Sequence, residues 1–161
     1  MAKKSGDATP ALVALHRAGI EVTVHAYEHD PRTRSYGLEA AEALGLDPAR
    51  VFKTLMIDVD GSLAVAVVPV GGSLDLKRVA AALRGKRAQL ADAAAAQRAT
   101  GYVLGGISPF GQKRVHRTVV DASALKHPTV FVSGGRRGLD LEVAPADLVA
   151  QTQAITAGIA R

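Results

Sequence analysis

Apolar positions recur along the chain in two rhythms, one near every third or fourth residue and one at every second. Leu12 and Leu15 follow Thr9 and Pro10 at the spacing of one helix face. Thr9 offers a capping hydroxyl, Pro10 suits the first helical position and Gly19 suits the end, so a helix is predicted from Pro10. EVTVHAY, 21 to 27, alternates with period two and predicts a strand. Ser35 predicts the cap of a second helix that carries Leu38, Ala41 and Leu44 inward until Gly45. The clearest signal is VFKTLMIDV, 51 to 59, followed by SLAVAVVPV, 62 to 70, across Asp60 and Gly61, a dipeptide suited to a two-residue hairpin turn. Residues 73 to 84 predict a helix with Leu76, Val79, Ala80 and Leu83 on one face, closed by Gly85. Asp92 predicts the cap of another, closed by Gly101. Three short β-rich pieces follow, YVL at 102, RTVVD at 117 and TVFVS at 129, and the last is expected to pair with LDLEV at 139 across a glycine loop. A final helix is predicted from near Pro145, carrying Leu148, Ile155 and Ile159.

Helices and strands interleave, yet at least two connections are hairpins. A purely parallel sheet is therefore disfavoured, and the expected fold is α+β, a curled, mixed, largely antiparallel and barrel-like sheet flanked by helices. No internal repeat or long linker divides the chain, which predicts one domain over 9–161 after a disordered tail over 1–8. A chain of 161 residues is long enough to bury roughly 70% of the surface its unfolded form exposes.

Composition narrows the chemistry. The apolar share of 48% rests on Ala, Val and Leu, and aromatics supply only 4%, so base stacking on aromatic platforms is not expected to carry binding. With no cysteine there is no disulfide, thiolate metal site or Cys nucleophile. The start lacks an apolar stretch after its lysines and no apolar run reaches membrane length, which predicts a cytoplasmic protein with no membrane partner. The net charge of +5 favours anionic partners. Lys113, Arg114, His116 and Arg117 cluster after one glycine-rich stretch, and Arg136 and Arg137 sit in another.

Those glycine-rich stretches exclude several chemistries. Gly106 and Gly111 have phosphate-loop spacing, but Gln112 stands where the lysine belongs and Arg114 follows Lys113, so a Walker site is rejected. Gly135-Arg-Arg-Gly138 resembles an RNA-binding GXXG clamp, except that it joins strands. His25 and His29 are four apart, but on a strand and a turn they do not present a metal pair. Ser133 and Asp140 lack the nucleophile elbow and a placed base of a serine hydrolase. Lys53, inside an otherwise apolar strand, is either a phosphate ligand or a residue of the solvent face. Phe52, Thr54 and Leu55 do not settle the phase.

Four motifs taken together carry a resemblance: HAYEHDP (25 to 31), FKTL (52 to 55), AQRATGYVLGGISPFGQK (96 to 113) and VSGGRRGLDLE (132 to 142). In this order they resemble the YbaK-type Cys-tRNA(Pro) deacylases, relatives of the editing domain inserted in many bacterial prolyl-tRNA synthetases. The resemblance runs from about residue 9 to near the C-terminus. It implies a curled mixed sheet, no cofactor and no metal, and hydrolysis of cysteine wrongly attached to tRNA(Pro), with Cys-tRNA(Cys) as a further substrate. The aminoacylated tRNA is the implied partner, prolyl-tRNA synthetase the implied third member of a complex, and DNA is not a partner.

By motif position, Lys53 matches the lysine expected to hold a phosphate of the acceptor end, and Gly105 matches the active-site glycine, with Gly106 beside it as a second catalytic position. Tyr27, Ser133 and Asp140 match pocket positions, and Thr54, Ser108 and Gly134 extend the expected substrate-binding set within the same motifs. Lys113, Arg114, Arg136 and Arg137 are the expected contacts to the tRNA backbone. Phe110 stands where many members have Leu. The absence of a convincing protein nucleophile fits the family, in which the substrate's own thiol is thought to attack the ester while glycine N–H groups receive the oxyanion. Two other readings stay open: a non-catalytic module that binds tRNA or a synthetase, and an editing deacylase for Ala- or Ser-tRNA.

Overall fold

The structure, a computed structural model, describes residues 8–33 and 35–161, so all but the last position of the expected 1–8 tail lies outside the described residues. Five helices and eight strands alternate along it: α1 (Pro10–Arg17), β1 (Thr23–Ala26), α2 (Tyr36–Ala43), β2 (Phe52–Val59), β3 (Ser62–Pro69), α3 (Leu76–Ala82), β4 (Ala88–Leu90), α4 (Ala93–Thr100), β5 (Arg117–Asp121), β6 (Val130–Arg136), β7 (Leu139–Val143), α5 (Pro145–Thr152) and β8 (Ile155–Ala157). Local chemistry sets most boundaries. The Thr9 hydroxyl accepts from the Leu12 N–H and caps α1, Asp75 and Asp92 cap α3 and α4 in the same way, and Gly101 ends α4 at φ +82°. The β2–β3 turn needs positive φ at both central residues, and Asp60 (52°) and Gly61 (90°) supply it.

The strands form two layers. A five-stranded sheet runs β4-β2-β3-β5-β8, antiparallel across β4-β2-β3 and parallel across β3-β5-β8. A three-stranded antiparallel sheet runs β1-β7-β6. The main core lies between them, where Met56, Val65 and Val67 meet Val132, Leu139 and Leu141 under α1 and Leu148 of α5. The opposite face of the large sheet, Ile57, Ala64 and Val68, is covered by Val79, Ala80 and Leu83 of α3. A parallel bridge between Val51 and Phe131 joins the layers at one edge, so the sheet curls without closing into a barrel among the described residues. No described helix is long and apolar enough to cross a membrane.

Three sequence expectations require correction, and one strand was not foreseen. YVL at 102 is a loop: the Tyr102 ring is buried and its hydroxyl donates to the Phe110 carbonyl at 2.6 Å, so a tertiary contact overrides β propensity. The last helix stops at Thr152, where Gln153 turns left-handed (φ 53°) with no glycine to mark it. Ile155 begins β8, beside β5. Leu38 is 45% exposed rather than inward, since Ala40 and Ala41 make the buried face of α2. β4, three residues on the outer edge of β2, is too short to carry a pattern and was not expected.

Candidate functional site

A cavity of about 310 Å³ opens near the edge where the start of β2 meets the small sheet. It is bounded by Tyr27 after β1, the first turns of α2, the start of β2, the loop at 104–107, and Ser133 and Asp140 of the small sheet. The pleat explains the polar wall. Leu139, Leu141 and Val132 face the core, so Asp140 and Ser133, directly opposite each other, face the other way, in register with His25 on β1. His25 and Ser133 are therefore two strand spacings apart, roughly 10 Å, and cannot share a proton. His25 Nε2 instead lies 3.0 Å from Glu142 Oε1, and Ser133 Oγ accepts from the Gly135 N–H at 3.2 Å. The row is not a hydrolase triad.

The cavity's polar groups are short of protein partners. Lys53 is half-buried at its wall, and among the described residues nothing hydrogen-bonds or ion-pairs with its ammonium. The open question of phase is answered by the register: Lys53 shares its face with Leu55, Ile57 and Val59, while Thr54 lies on the Phe52 and Met56 face. The Thr54 hydroxyl is buried without a partner. Asp140 is only 6% exposed, has no hydrogen-bond partner among the described residues, and burial pushes its carboxyl up to about 7. Burial, then the nearby Asp140 charge, raises the Tyr27 phenol to about 12.

The glycine loop has a specific geometry. Gly105 lines the cavity at φ +84°, and a Cβ there would lie 2.7 Å from the Tyr36 ring. Its N–H donates no hydrogen bond among the described residues, and neither does that of Ile107, also on the cavity. Gly106 differs. Its N–H donates to the Val103 carbonyl at 2.9 Å, and a Cβ would meet the Arg136 Cα at 2.8 Å, so Gly106 fits the loop against the β6–β7 hairpin instead of facing a ligand. Ser108, fully buried, accepts from the Phe110 N–H, and its carbonyl accepts from Gln112. The Gly134 carbonyl accepts from the Thr9 hydroxyl at 2.5 Å. Ser108 and Gly134 thus shape the loops and stand outside the cavity wall.

The structure therefore brings Tyr27, Lys53, Thr54, Gly105, Ser133 and Asp140 together. None of the four expected tRNA-backbone cations lines the cavity itself: Lys113 and Arg114 are exposed on the far end of the loop, and Arg136 and Arg137 are at the hairpin tip, where Arg137 packs behind the wall residues Leu104 and Tyr36. Sequence reasoning missed Tyr36, Gly37 and Ile107. Gly37 was detectable as a glycine inside a helix; a Cβ there would collide with Val70 at 2.3 Å, so its absence lets α2 close on the end of β3. The segment after β1 is tied to the same helix, because Glu39 accepts from the Asp30 N–H and sits 2.7 Å from His29 Nδ1. The two histidines are thus spent on carboxylates, and no group of three His, Asp or Glu among the described residues could hold a metal.

Comparison with known proteins gives three results. The family model described as an aminoacyl-tRNA editing domain matches residues 30–150. The chain is 35% identical over 113 residues, 70% of its length and 69% of the other's, to EbsC of Enterococcus faecalis, provisionally named a Cys-tRNA(Pro)/Cys-tRNA(Cys) deacylase. It is 26% identical over 110 residues to YwhH of Bacillus subtilis, which is uncharacterised. Among solved structures it superposes on a provisional trans-editing enzyme for prolyl-tRNA synthetase (TM-score 0.85, 24% identity, 99% of both chains) and on the hypothetical protein APE2540 (TM-score 0.84, 28% identity, 94% and 99%).

Proposed function

This chain belongs to the aminoacyl-tRNA editing domain family, and from that premise we propose that it hydrolyses Cys-tRNA(Pro), and Cys-tRNA(Cys), in trans. The observation that carries the reading is a cavity holding one unpaired ammonium, Lys53, and one unpaired backbone donor at a side-chain-free position, Gly105. Lys53 neutralises a phosphate near the 3′ end and sets the register of the ester. The Gly105 N–H receives the carbonyl oxygen as it gains charge.

No cysteine or histidine lines the cavity, and the Ser133 hydroxyl accepts a backbone N–H, which supports a nucleophile carried by the substrate. The cysteinyl thiol attacks its own ester carbonyl, a C–S bond forms, the C–O bond to the ribose breaks, and the thiol proton passes to the departing ribose oxygen. The product is a small thiolactone that water opens to free cysteine. Asp140 accepts the substrate's α-ammonium, which supplies the counter-charge its burial lacks. The unpartnered Thr54 hydroxyl favours a side chain with a polar end over the methyl of alanine. Prolyl-tRNA synthetase, held in the same complex, supplies tRNA identity.

The test is a panel of Cys-, Ser-, Ala- and Pro-tRNA(Pro), with decay of each ester measured against buffer. The cysteinyl ester should vanish fastest. Equal decay of the seryl or alanyl ester would remove the thiol from the mechanism, and decay of none would leave a binding module.

A further inference from the structure

Arg137 was expected on the RNA, yet its side chain is engaged inside the protein. Its Nε–H donates to the Leu104 carbonyl at 2.9 Å, and its guanidinium carbon sits 4.7 Å from the centre of the Tyr36 ring. The same ring lies where a Cβ of Gly105 would be. Two elements distant in sequence, the tip of the β6–β7 hairpin and the start of α2, thus clamp the Leu104–Gly105 link between them.

The acceptor in this clamp is decisive. The Leu104 carbonyl and the Gly105 N–H belong to one planar peptide unit, in which they point in opposite directions. Fixing the carbonyl with a charged donor fixes the direction of the N–H. It also draws electron density toward the oxygen, which makes the N–H a stronger donor. Gly105 sits at a left-handed φ of 84°, which glycine adopts without steric cost, so without an external hold the peptide plane has little to resist rotation. The ring packs against the guanidinium and helps to keep it in place.

We propose that Arg137 is a positioning residue that aims and polarises the Gly105 N–H for the reacting carbonyl, acting through the Leu104–Gly105 peptide and not through contact with RNA. This rests on the deacylase reading above. The geometry asks for arginine specifically, because Nε–H and the planar stacking surface are used together, and lysine offers neither in the same place.

The experiment compares the wild type with Arg137→Lys and Arg137→Gln, measuring kcat and KM on Cys-tRNA(Pro) over a range of salt, and recording the Gly105 amide signal in a ¹⁵N–¹H spectrum without substrate. Lysine retains the charge, so a phosphate contact would survive in that variant. The expected result is a kcat lower by about tenfold to a hundredfold in both variants, given the roughly 10²–10³ that loss of a whole oxyanion donor costs, with KM and salt slope near wild type and a displaced Gly105 amide. A near-normal kcat in Arg137→Lys, or a raised KM with a shallower salt slope in Arg137→Gln, would overturn the proposal in favour of RNA contact. If the wild type cleaves no ester, the deacylase reading fails by itself, while an unmoved Gly105 amide would still sink the positioning claim.

Discussion

Asp140→Asn is a substitution whose sign is counter-intuitive. Replacing a buried acid in a functional cavity should make the folded protein more stable, and increasingly so as pH rises. The Asp140 carboxyl titrates near 3.8 when unfolded and near 7 when folded, because burial without a partner disfavours its charged form. A group whose folded value is raised holds its proton more tightly in the native state. The wild type therefore loses stability as pH climbs from about 4 to about 7, and the loss is complete above that. At about 1.4 kcal/mol per pH interval, the full effect is of order 4 kcal/mol, a large part of the 5–15 kcal/mol typical of a domain. Asparagine has nearly the same shape and never ionises. The difference between variant and wild type should grow by roughly 2–3 kcal/mol between pH 5 and pH 8, read from urea unfolding at each pH. Taking this difference removes the other carboxylates, such as Asp121 and Glu142, whose native hydrogen bonds hold them below their usual range in both proteins. A stability difference that does not change with pH would refute the reasoning. The same variant should bind the cysteinyl ester more weakly, since asparagine offers the α-ammonium no charge.

Two further predictions concern the loop and the partner. Gly105→Ala should lose about 2–5 kcal/mol, from a left-handed alanine at roughly 1–2 and the displaced Tyr36 ring at roughly 1–3. Gly19→Ala, at φ +70° with nothing within 4 Å, should lose only the first part. Equal midpoints in urea would show that the Tyr36 contact is not tight. Binding of uncleavable aminoacyl-tRNA mimics should weaken steeply with salt, by about 0.7–0.9 in log–log slope per phosphate contact, and a flat response in filter binding would count against RNA as the ligand.

How far the site could be read in advance depended on the range of each interaction. The hairpin of β2 and β3 was legible because alternation and a turn dipeptide act within a few residues. Ile155 and Leu38 were misread because both obey a helical spacing that the backbone abandons or turns outward, at Gln153 and on the alanine face of α2. Lys53 stood out as a cation among apolar neighbours, but its face was fixed only by register with Val68. Gly105 and Asp140 were reached through motif resemblance, since a single glycine or acid in a strand-rich segment has no periodic signature. The contact between Tyr36 and Arg137 was out of reach, because it spans 101 positions of sequence. The pull of net charge made solvent and RNA the natural expectation for the arginine.

The most direct test of the account is the decay of Cys-tRNA(Pro) under single-turnover conditions with wild type and Lys53→Met, a change that keeps the stem and removes the ammonium, with thermal unfolding measured on both. The account predicts rapid loss of the ester with the wild type, a rate lower by about a hundredfold in the variant, and closely similar unfolding temperatures. An unchanged rate in a folded Lys53→Met protein would contradict it.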